Sequence, residues 1–214
     1  MSRAYAAFTE TGLALAEKLA RSLPGSVTRC GHGGPSLAEW TAAAFAQNEA
    51  LIFVGAVGIA VRAIAPLCRS KASDPAVVVV DECGHFAVPL LSGHLGGAND
   101  LARAIAALCG AVPVITTATD AHGLFAVDEW ARHQNCRVLE PERIKAVSGK
   151  LLAGEPVFFW SEFPIAGPAP AGVRAAPTPK AADFALTLSP AGNALHLAPH
   201  IGVLGIGCRR GTTA

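Results

Sequence analysis

The sequence predicts an α/β protein with a mostly parallel sheet and helices on both faces, followed by a second, smaller α/β domain. Two short apolar runs, residues 51–54 and 76–80, are typical of strands buried on both faces of a parallel sheet. Helical patterns alternate with these runs at short intervals, which indicates βα units. Glycine and polar residues follow the strands, where ligands bind in open α/β sheets.

The composition excludes several classes of function. The 214 residues carry a formal net charge of +1 and only 15% charged residues, so no basic surface for nucleic acid is expected. No stretch of about 18 residues lacks both charge and glycine, and no signal peptide is recognisable, so we expect a cytoplasmic protein. The six cysteines lie far apart without a C-x-x-C pair, which predicts reduced thiols rather than disulfides or a structural zinc site.

Residues 1–133 are predicted to form the first domain. Thr9 is expected to cap the first helix, and Ser36 with Glu39 has the form of a capping box that opens the second. The predicted strands are 4–8, 51–54, 76–80, 86–91 and 112–116, and the predicted helices are 11–23, 36–48, 58–65, 101–110 and 127–134. We expect the loops at 55–58, 92–99 and 116–122 to lie on the same edge of the sheet, because each follows a strand signal.

Residues 134–198 are predicted to form the second domain. Its expected elements are strands at 137–139, 156–160, 184–188 and 194–197 and a helix at 141–152. The stretch 164–179 is rich in proline, alanine and glycine, which predicts an irregular connection. Residues 199–214 are interpreted as the start of a further, truncated C-terminal domain, with an apolar strand followed by a glycine-rich turn that carries two arginines.

Several stretches resemble the CbiG family, the cobalt-precorrin-5A hydrolases of anaerobic cobalamin biosynthesis. The resemblance is carried by VGAVGIAVRAIAP at 54–66, KASDPAVVVVD at 71–81, GHFAVPLLSGHLGGAN at 84–99 and PVITTATD at 113–120. It is strong over most of residues 1–135 and weak over 136–198. The terminal LGIGCRRGTTA resembles the opening of the family's C-terminal domain, so the resemblance implies that this sequence carries only the start of that domain.

The resemblance implies the substrate and the reaction. The substrate is a cobalt-bearing tetrapyrrole with a δ-lactone between a ring A acetate and the methylated C20 position. Water opens the lactone, and the C20 carbon leaves with its methyl group as acetaldehyde to give cobalt-precorrin-5B. The substrate brings its own cobalt, so no cofactor and no protein-bound metal are expected. Methyltransferases of the corrin pathway are candidate partners. The alternative is a non-catalytic tetrapyrrole-binding or assembly module of the same pathway.

The glycine loop contains the main substrate-binding candidates. Gly93, Gly96 and Gly97 precede a helix N-terminus, where backbone N–H groups and the helix dipole favour an anion such as a substrate carboxylate or an oxyanion. A tight turn that requires glycine for close packing explains them equally well. Asn99 follows as a further candidate ligand of the substrate. The loop does not fit the G-x-G-x-x-G dinucleotide fingerprint, so a Rossmann function is disfavoured.

Three residues are candidates for proton transfer. His94 lies within the glycine loop, and histidine exchanges protons near neutral pH; the alternative is a loop-stabilising histidine. His85 follows a strand, and together with Cys83 it is also half of a possible metal site whose other ligands are not evident. Asp120 ends the TTATD stretch and is expected to orient a histidine or act as a base, unless it caps a helix.

Hydrogen-bonding side chains complete the predicted site. Thr116 and Thr117 are expected to donate hydrogen bonds to substrate carboxylates, and the alternative for one of them is a position that faces the core. Arg62 is a candidate carboxylate partner because its planar guanidinium suits bidentate pairing. A solvated helix face is its alternative.

Overall fold

The computed structural model describes residues 1–31, 33–190 and 192–200, which form two sheets flanked by helices. Both sheets are mixed and mostly parallel, and the predicted α/β fold class is confirmed. No helix in the described ranges is long and apolar enough to cross a membrane. The predicted opening of the C-terminal domain is 199–214, and its residues from 201 onward lie outside the described residues.

The first sheet has six strands in the order β2-β1-β3-β4-β5-β6. The strands are β1 (Arg3–Ala7), β2 (Ser26–Arg29), β3 (Ala50–Val54), β4 (Ala76–Val80), β5 (Phe86–Leu91) and β6 (Val112–Pro113). The helices that belong to this sheet are α1 (Glu10–Ser22), α2 (Leu37–Gln47), α3 (Val57–Ile64) and α4 (Ala98–Cys109). β2 was not predicted, since its four residues SVTR are partly exposed at the sheet edge and show no buried apolar run.

The continuous apolar strands are buried on both faces, as the sequence indicated. In β3, Ile52 and Val54 contribute to one core with α1 and α4, while Leu51 and Phe53 contribute to the other with α2 and α3. Predicted capping is also confirmed: Thr9 accepts from the Gly12 N–H, and Ser36 and Glu39 form a reciprocal capping box. These local signals fix where the first two helices begin.

The sheet reverses direction at β5. β1, β2, β3 and β4 are parallel, but β5 runs antiparallel to β4, and β6 is parallel to β5. Segments that follow β5 and β6 therefore lie at the opposite edge from segments that follow β1, β3 and β4. This reversal decides which predicted loops meet.

The second sheet has five strands in the order β7-β11-β10-β8-β9, with β7 as its antiparallel member. Its strands are β7 (Cys136–Val138), β8 (Val157–Ser161), β9 (Val173–Ala175), β10 (Phe184–Leu186) and β11 (Leu195–Pro199), and the helices α5 (Ala118–Ala121), α6 (Val127–His133) and α7 (Ile144–Leu152) lie around it or lead to it. β9 falls inside the stretch that was expected to be an irregular connection.

Helix α6 packs with the second sheet. Its Val127 and Ala131 are fully buried in the core that contains Val147, Phe184 and Leu195. The predicted first domain ended with this helix at residue 133, and that boundary stays a prediction. In the structure, α6 carries its apolar face to the second core and its polar face toward the first sheet, so it links the two.

Candidate functional site

The loop at 92–97 and the segment at 116–122 meet at one edge of the first sheet. Because β5 is antiparallel to β4, residues after Leu91 lie beside the start of β4, where the Ser92 hydroxyl donates to the Asp74 carbonyl over 2.8 Å. The predicted shared edge of these two segments is confirmed. The same expectation is wrong for 55–58, because the Gly55 N–H donates to the Val80 carbonyl at the far end of β4.

His94 lies between two carboxylates. Its Nε2 is 2.5 Å from Oδ2 of Asp120, and its Nδ1 is 3.2 Å from Oδ1 of Asp128. All three side chains are almost completely buried, with exposed fractions of 11%, 11% and 8%. His94 belongs to the first sheet's loop and Asp128 to helix α6, so the imidazole connects the two parts of the chain.

Asp120 is the most heavily bonded carboxylate of this group. Its Oδ2 accepts hydrogen bonds from Thr117 over 2.5 Å and from the buried Asn99 amide over 3.2 Å, in addition to the contact with His94. Its other oxygen pairs with the Arg103 guanidinium. Asn99 also donates to the Thr117 hydroxyl over 2.9 Å. We call His94, Asn99, Thr117, Asp120 and Asp128 the histidine cluster.

A layer of charged side chains surrounds the histidine cluster. Arg103 bridges Asp100 and Glu129, each at 2.9 Å, as well as Asp120. Arg132 donates from Nε to the His94 carbonyl over 3.0 Å and pairs with Asp100. The layer therefore joins helix α4 to helix α6 by several ion pairs. Networks of this kind hold their members in position better than isolated surface pairs do.

The surroundings of His94 determine its charge. Burial alone lowers the pKa of His94, but the bonds to Asp128 and Asp120 and their negative charges raise the pKa to about 9. Burial raises the pKa of Asp120, whereas the bonds from Thr117 and His94 and the charges of His94 and Arg103 lower the pKa overall. The two neighbouring carboxyl groups therefore favour the protonated form of the His94 imidazole.

Packing accounts for the glycines of the loop. A Cβ on Gly96 would lie 2.5 Å from the Ser92 Cβ, and one on Gly93 would lie 2.8 Å from Oδ1 of Asn99. Gly97 has a left-handed backbone with φ of 82°, and its Cα faces the Arg132 guanidinium. The N–H groups of residues 97, 98 and 99 donate to the carbonyls of residues 94, 92 and 93. These three donors are therefore engaged within the loop, and the predicted role of the glycines in anion binding stays a prediction.

A cleft of about 240 Å³ lies between the two sheets next to the histidine cluster. Its charged lining residues are Lys71, Asp74, Asp128, Arg132 and Arg137. The side chains of Lys71 and Arg137 come from exposed positions, and neither forms an ion pair within the described residues. The cleft thus places two basic side chains that have no ion-pair partner among the described residues, Lys71 and Arg137, near Asp128, the carboxylate that contacts Nδ1 of His94.

The structure brings some predicted site residues together and separates others. His94, Asp120, Asn99 and Thr117 share the histidine cluster, and Gly93, Gly96 and Gly97 form its loop. Thr116 is exposed and has no side-chain hydrogen bond in the described part of the chain. Arg62 donates to the carbonyl of Gly58 in its own helix, at the opposite edge. His85 is also at that edge, 3.5 Å from Asp81, so it does not belong to the same site as His94.

Sequence reasoning missed Asp128, Arg103 and Arg132. Asp128 and Glu129 stand in the first turn of α6, where acidic residues are common for the helix dipole alone, so the pattern VDEW carries no distinct signal. Arg103 is four residues after Asn99, on the same face of α4. The spacing of Asn99 and Arg103 could have predicted that α4 has a polar face, and this face contacts Asp120 in the structure.

The fold and the cluster define a two-sheet α/β protein with an ion-paired polar cleft between its sheets. The family model for the cobalamin synthesis G N-terminal region matches residues 39–120, and the model for the cobalamin biosynthesis central region matches residues 125–192. The chain belongs to the CbiG family and carries its N-terminal and central regions.

Individual relatives agree with this assignment. A cobalt-precorrin-5A hydrolase of Salmonella typhimurium is 43% identical over 165 residues, which cover 71% of this chain and 46% of that protein. One from Priestia megaterium is 32% identical over 198 residues, covering 79% and 51%. The chain thus spans about half the length of these curated relatives. A crystal structure of a cobalamin biosynthesis protein G homolog from Sulfolobus solfataricus shares the fold, with a TM-score of 0.57 at 21% identity over 92% of this chain and 60% of that one.

We expect Gly97→Val to destabilise the protein more than Gly110→Val. Both glycines have a left-handed backbone, with φ of 82° and 81°, so both variants carry the same backbone strain. The two sites differ in their surroundings. A Cβ added at Gly97 would lie 3.1 Å from the Arg132 guanidinium, whereas a Cβ added at Gly110 would have no atom within 4 Å. Displacing Arg132 should add about 1–3 kcal/mol to the loss of unfolding free energy, measured by urea denaturation. Equal losses in the two variants would show that Arg132 adapts freely.

Proposed function

We propose that this chain forms the lactone-opening part of a cobalt-precorrin-5A hydrolase in the cytoplasm. The reaction opens the δ-lactone with one water and releases the C20 carbon as acetaldehyde, giving cobalt-precorrin-5B. The names of the relatives support the substrate. The observation that carries the proposal is the buried His94 imidazole, held between Asp120 and Asp128 beside the cleft. Because the chain covers about half of its relatives, the complete activity is proposed for the protein that includes their remaining region.

The cleft offers basic side chains to the carboxylates of the substrate, three against the two acidic residues Asp74 and Asp128 that also line it. A modified tetrapyrrole carries several peripheral carboxylates, and Lys71 and Arg137 provide positive charge without an ion-pair partner of their own in the described residues. Arg132 is held by the His94 carbonyl and Asp100, so its guanidinium is fixed beside the cleft rather than mobile. A macrocycle is larger than a cleft of about 240 Å³. One edge of the substrate, carrying the lactone and its neighbouring carboxylates, would therefore enter.

His94 and Asp128 are proposed to act as an acid and base pair. The Nδ1 to Asp128 separation of 3.2 Å is the longer of the two His94 contacts. A lactone oxygen that displaces Asp128 from Nδ1 would receive the imidazolium N–H, which stabilises the developing oxyanion and can deliver the proton. The released Asp128 carboxylate would then accept a proton from the attacking water, whose oxygen stays on the acetate as the acyl–oxygen bond breaks and the imidazolium proton passes to the C20 oxygen. Loss of the C20 hydroxyl proton would then break the bond between C20 and the macrocycle, which keeps the electron pair and is reprotonated, and acetaldehyde would leave. Asp120, with its oxygens fixed by Thr117, Asn99 and Arg103, would keep the imidazole oriented through Nε2.

One observation favours the second candidate, a non-catalytic tetrapyrrole-binding module. Both ring nitrogens of His94 and both oxygens of Asp120 are already bonded within the protein. In that case the histidine cluster would only join the two sheets, and the cleft would hold the substrate for another enzyme.

Anaerobic incubation with cobalt-precorrin-5A distinguishes the two candidates. The chain is tested alone and together with the C-terminal region of the Salmonella relative, and acetaldehyde and substrate binding are both measured. We expect acetaldehyde release in at least the combined sample. Stoichiometric binding without release in both samples would support the binding module, and absence of binding in both would contradict both candidates.

A further inference from the structure

A tight turn at residues 81–85 gathers three different metal-ligand side chains. The N–H of Gly84 donates to the Asp81 carbonyl over 2.9 Å, and Gly84 has a left-handed backbone with φ of 72°. The turn brings a carboxylate oxygen of Asp81, Sγ of Cys83 and a ring nitrogen of His85 within 4.8 Å of one another. Because the turn connects adjacent strands β4 and β5, its position is set by the sheet.

The charge balance at this turn differs from that of the other clusters of possible ligands. The cluster of His94, Asp120 and Glu129 has Arg103 as its cation. Among the described residues, no arginine or lysine side chain forms an ion pair with Asp81. The one ionisable side chain there that pairs with Asp81 is His85, whose Nδ1 is 3.5 Å from the carboxylate. The Asp81 carboxylate is oriented by the N–H groups of Cys83 and Phe86, at 3.2 and 2.6 Å. It is thus held in place beside Cys83 and His85 without a neutralising cation.

The turn also borders a crevice of about 380 Å³ at the carboxyl ends of the parallel strands. The crevice is lined by Thr9 after β1, by Gly55 and Ala56 after β3, and by Asp81 and Glu82 after β4. Strand β2 lies on one side of β1, and β3 and β4 lie on the other. The order of the strands therefore reverses between β1 and β3, where the crevice lies. Ligands of open α/β sheets bind at such switch points. The turn therefore lies where the fold offers an accessible binding site.

We propose that Asp81, Cys83 and His85 bind one divalent transition metal ion at this edge. Thiolate, imidazole and carboxylate together suit zinc or cobalt(II) rather than the hard cations magnesium and calcium. Binding releases the Cys83 thiol proton to solvent and involves no redox change. Three protein ligands leave at least one coordination position for water or for a ligand in the crevice. The site lies at the opposite edge from the histidine cluster and does not depend on the proposed hydrolase function.

Titration of the reduced chain with cobalt(II) tests this site. We expect one ion per chain, with an absorption band from thiolate-to-cobalt charge transfer. In Cys83→Ser the band should disappear. In His85→Ala the affinity should fall by more than about tenfold, since even changes beside a metal ligand cost about 10–100-fold. All of these side chains except Asp81 are exposed, so the fold should tolerate the substitutions, and circular dichroism checks that it does.

Matched variants keep the result specific. Cys68→Ser removes another exposed thiol, and His122→Ala removes another exposed imidazole, and both should bind cobalt(II) as the unmodified chain does. A charge-transfer band that persists in Cys83→Ser would overturn the proposal. So would the absence of saturable binding at cobalt concentrations below about 1 mM, because a site with a thiolate and an imidazole should bind a transition metal well below that.

Discussion

Replacing His94 by glutamine is expected to slow acetaldehyde release by about 10²–10⁴-fold, the usual contribution of general acid–base catalysis. Glutamine retains hydrogen-bonding capacity and approximate size but cannot transfer a proton. Substrate affinity should change little, because the cleft charges of Lys71, Arg132 and Arg137 are retained. The measurement is single-turnover acetaldehyde release together with direct binding of cobalt-precorrin-5A, in the protein extended to the length of its relatives.

His85→Gln is the matched control for this variant. His85 lies at the opposite edge of the first sheet, and its side chain is 71% exposed, compared with 11% for His94. Turnover in His85→Gln should equal that of the unmodified protein. If His94→Gln released acetaldehyde at the normal rate, His94 would only join the two sheets. If His85→Gln were as slow as His94→Gln, the placement of the reaction at the histidine cluster would be wrong.

The fold was predictable where the signal is local. The buried apolar runs, the cap at Thr9 and the capping box at Ser36 each depend on a few neighbouring residues, and each was found where predicted. The direction of β5 was missed although the sequence held a sign of it. Only residues 81–85 separate β4 from β5, and a parallel connection requires a dozen or more residues. A connection this short dictates an antiparallel pair.

That single reversal explains most of what the sequence predicted wrongly about loop placement. With β5 parallel to β4, the segment at 55–58 and the glycine loop would have shared one edge, whereas His85 and the glycine loop flank β5 and lie at opposite ends of it in either direction. With β5 antiparallel, the glycine loop moves to the edge where Asp120 lies, and His85 stays with Asp81. The pairing of His94 with Asp120 follows from β6 being parallel to β5.

Asp128 and Arg132 could not be assigned from the sequence for a different reason. Their roles depend on how the second sheet packs against the first, and this packing is produced by the apolar side chains of α6, Val127 and Ala131. The polar face of α6 then meets the glycine loop as a consequence. Single-sequence patterns give the two faces of such a helix but not the surface that the polar face will contact.

The bridging position of His94 leads to a pH-dependent stability. The pKa of His94 is raised from 6.5 to about 9 in the folded protein, so folding favours the protonated imidazole. A raised pKa gives stability that is fully present below about pH 6.5 and is lost as the pH rises through about 9. At about 1.36 kcal/mol per pKa unit, the difference between the two pKa values corresponds to roughly 3 kcal/mol.

We therefore expect the difference in unfolding free energy between the unmodified chain and His94→Gln to shrink by up to roughly 3 kcal/mol between pH 6 and pH 9.5. Urea denaturation at several pH values measures it, and taking the difference cancels the titration of lysines, tyrosines and thiols that both proteins share. His122→Gln, which replaces an exposed histidine, should show no such change. A difference that stayed constant across this range would mean that folding does not raise the pKa of His94 above about 6.5. In that case the proton donor of the proposed reaction would be an ordinary histidine that loses its proton above about pH 6.5, and the two carboxylates would not be what keeps it protonated.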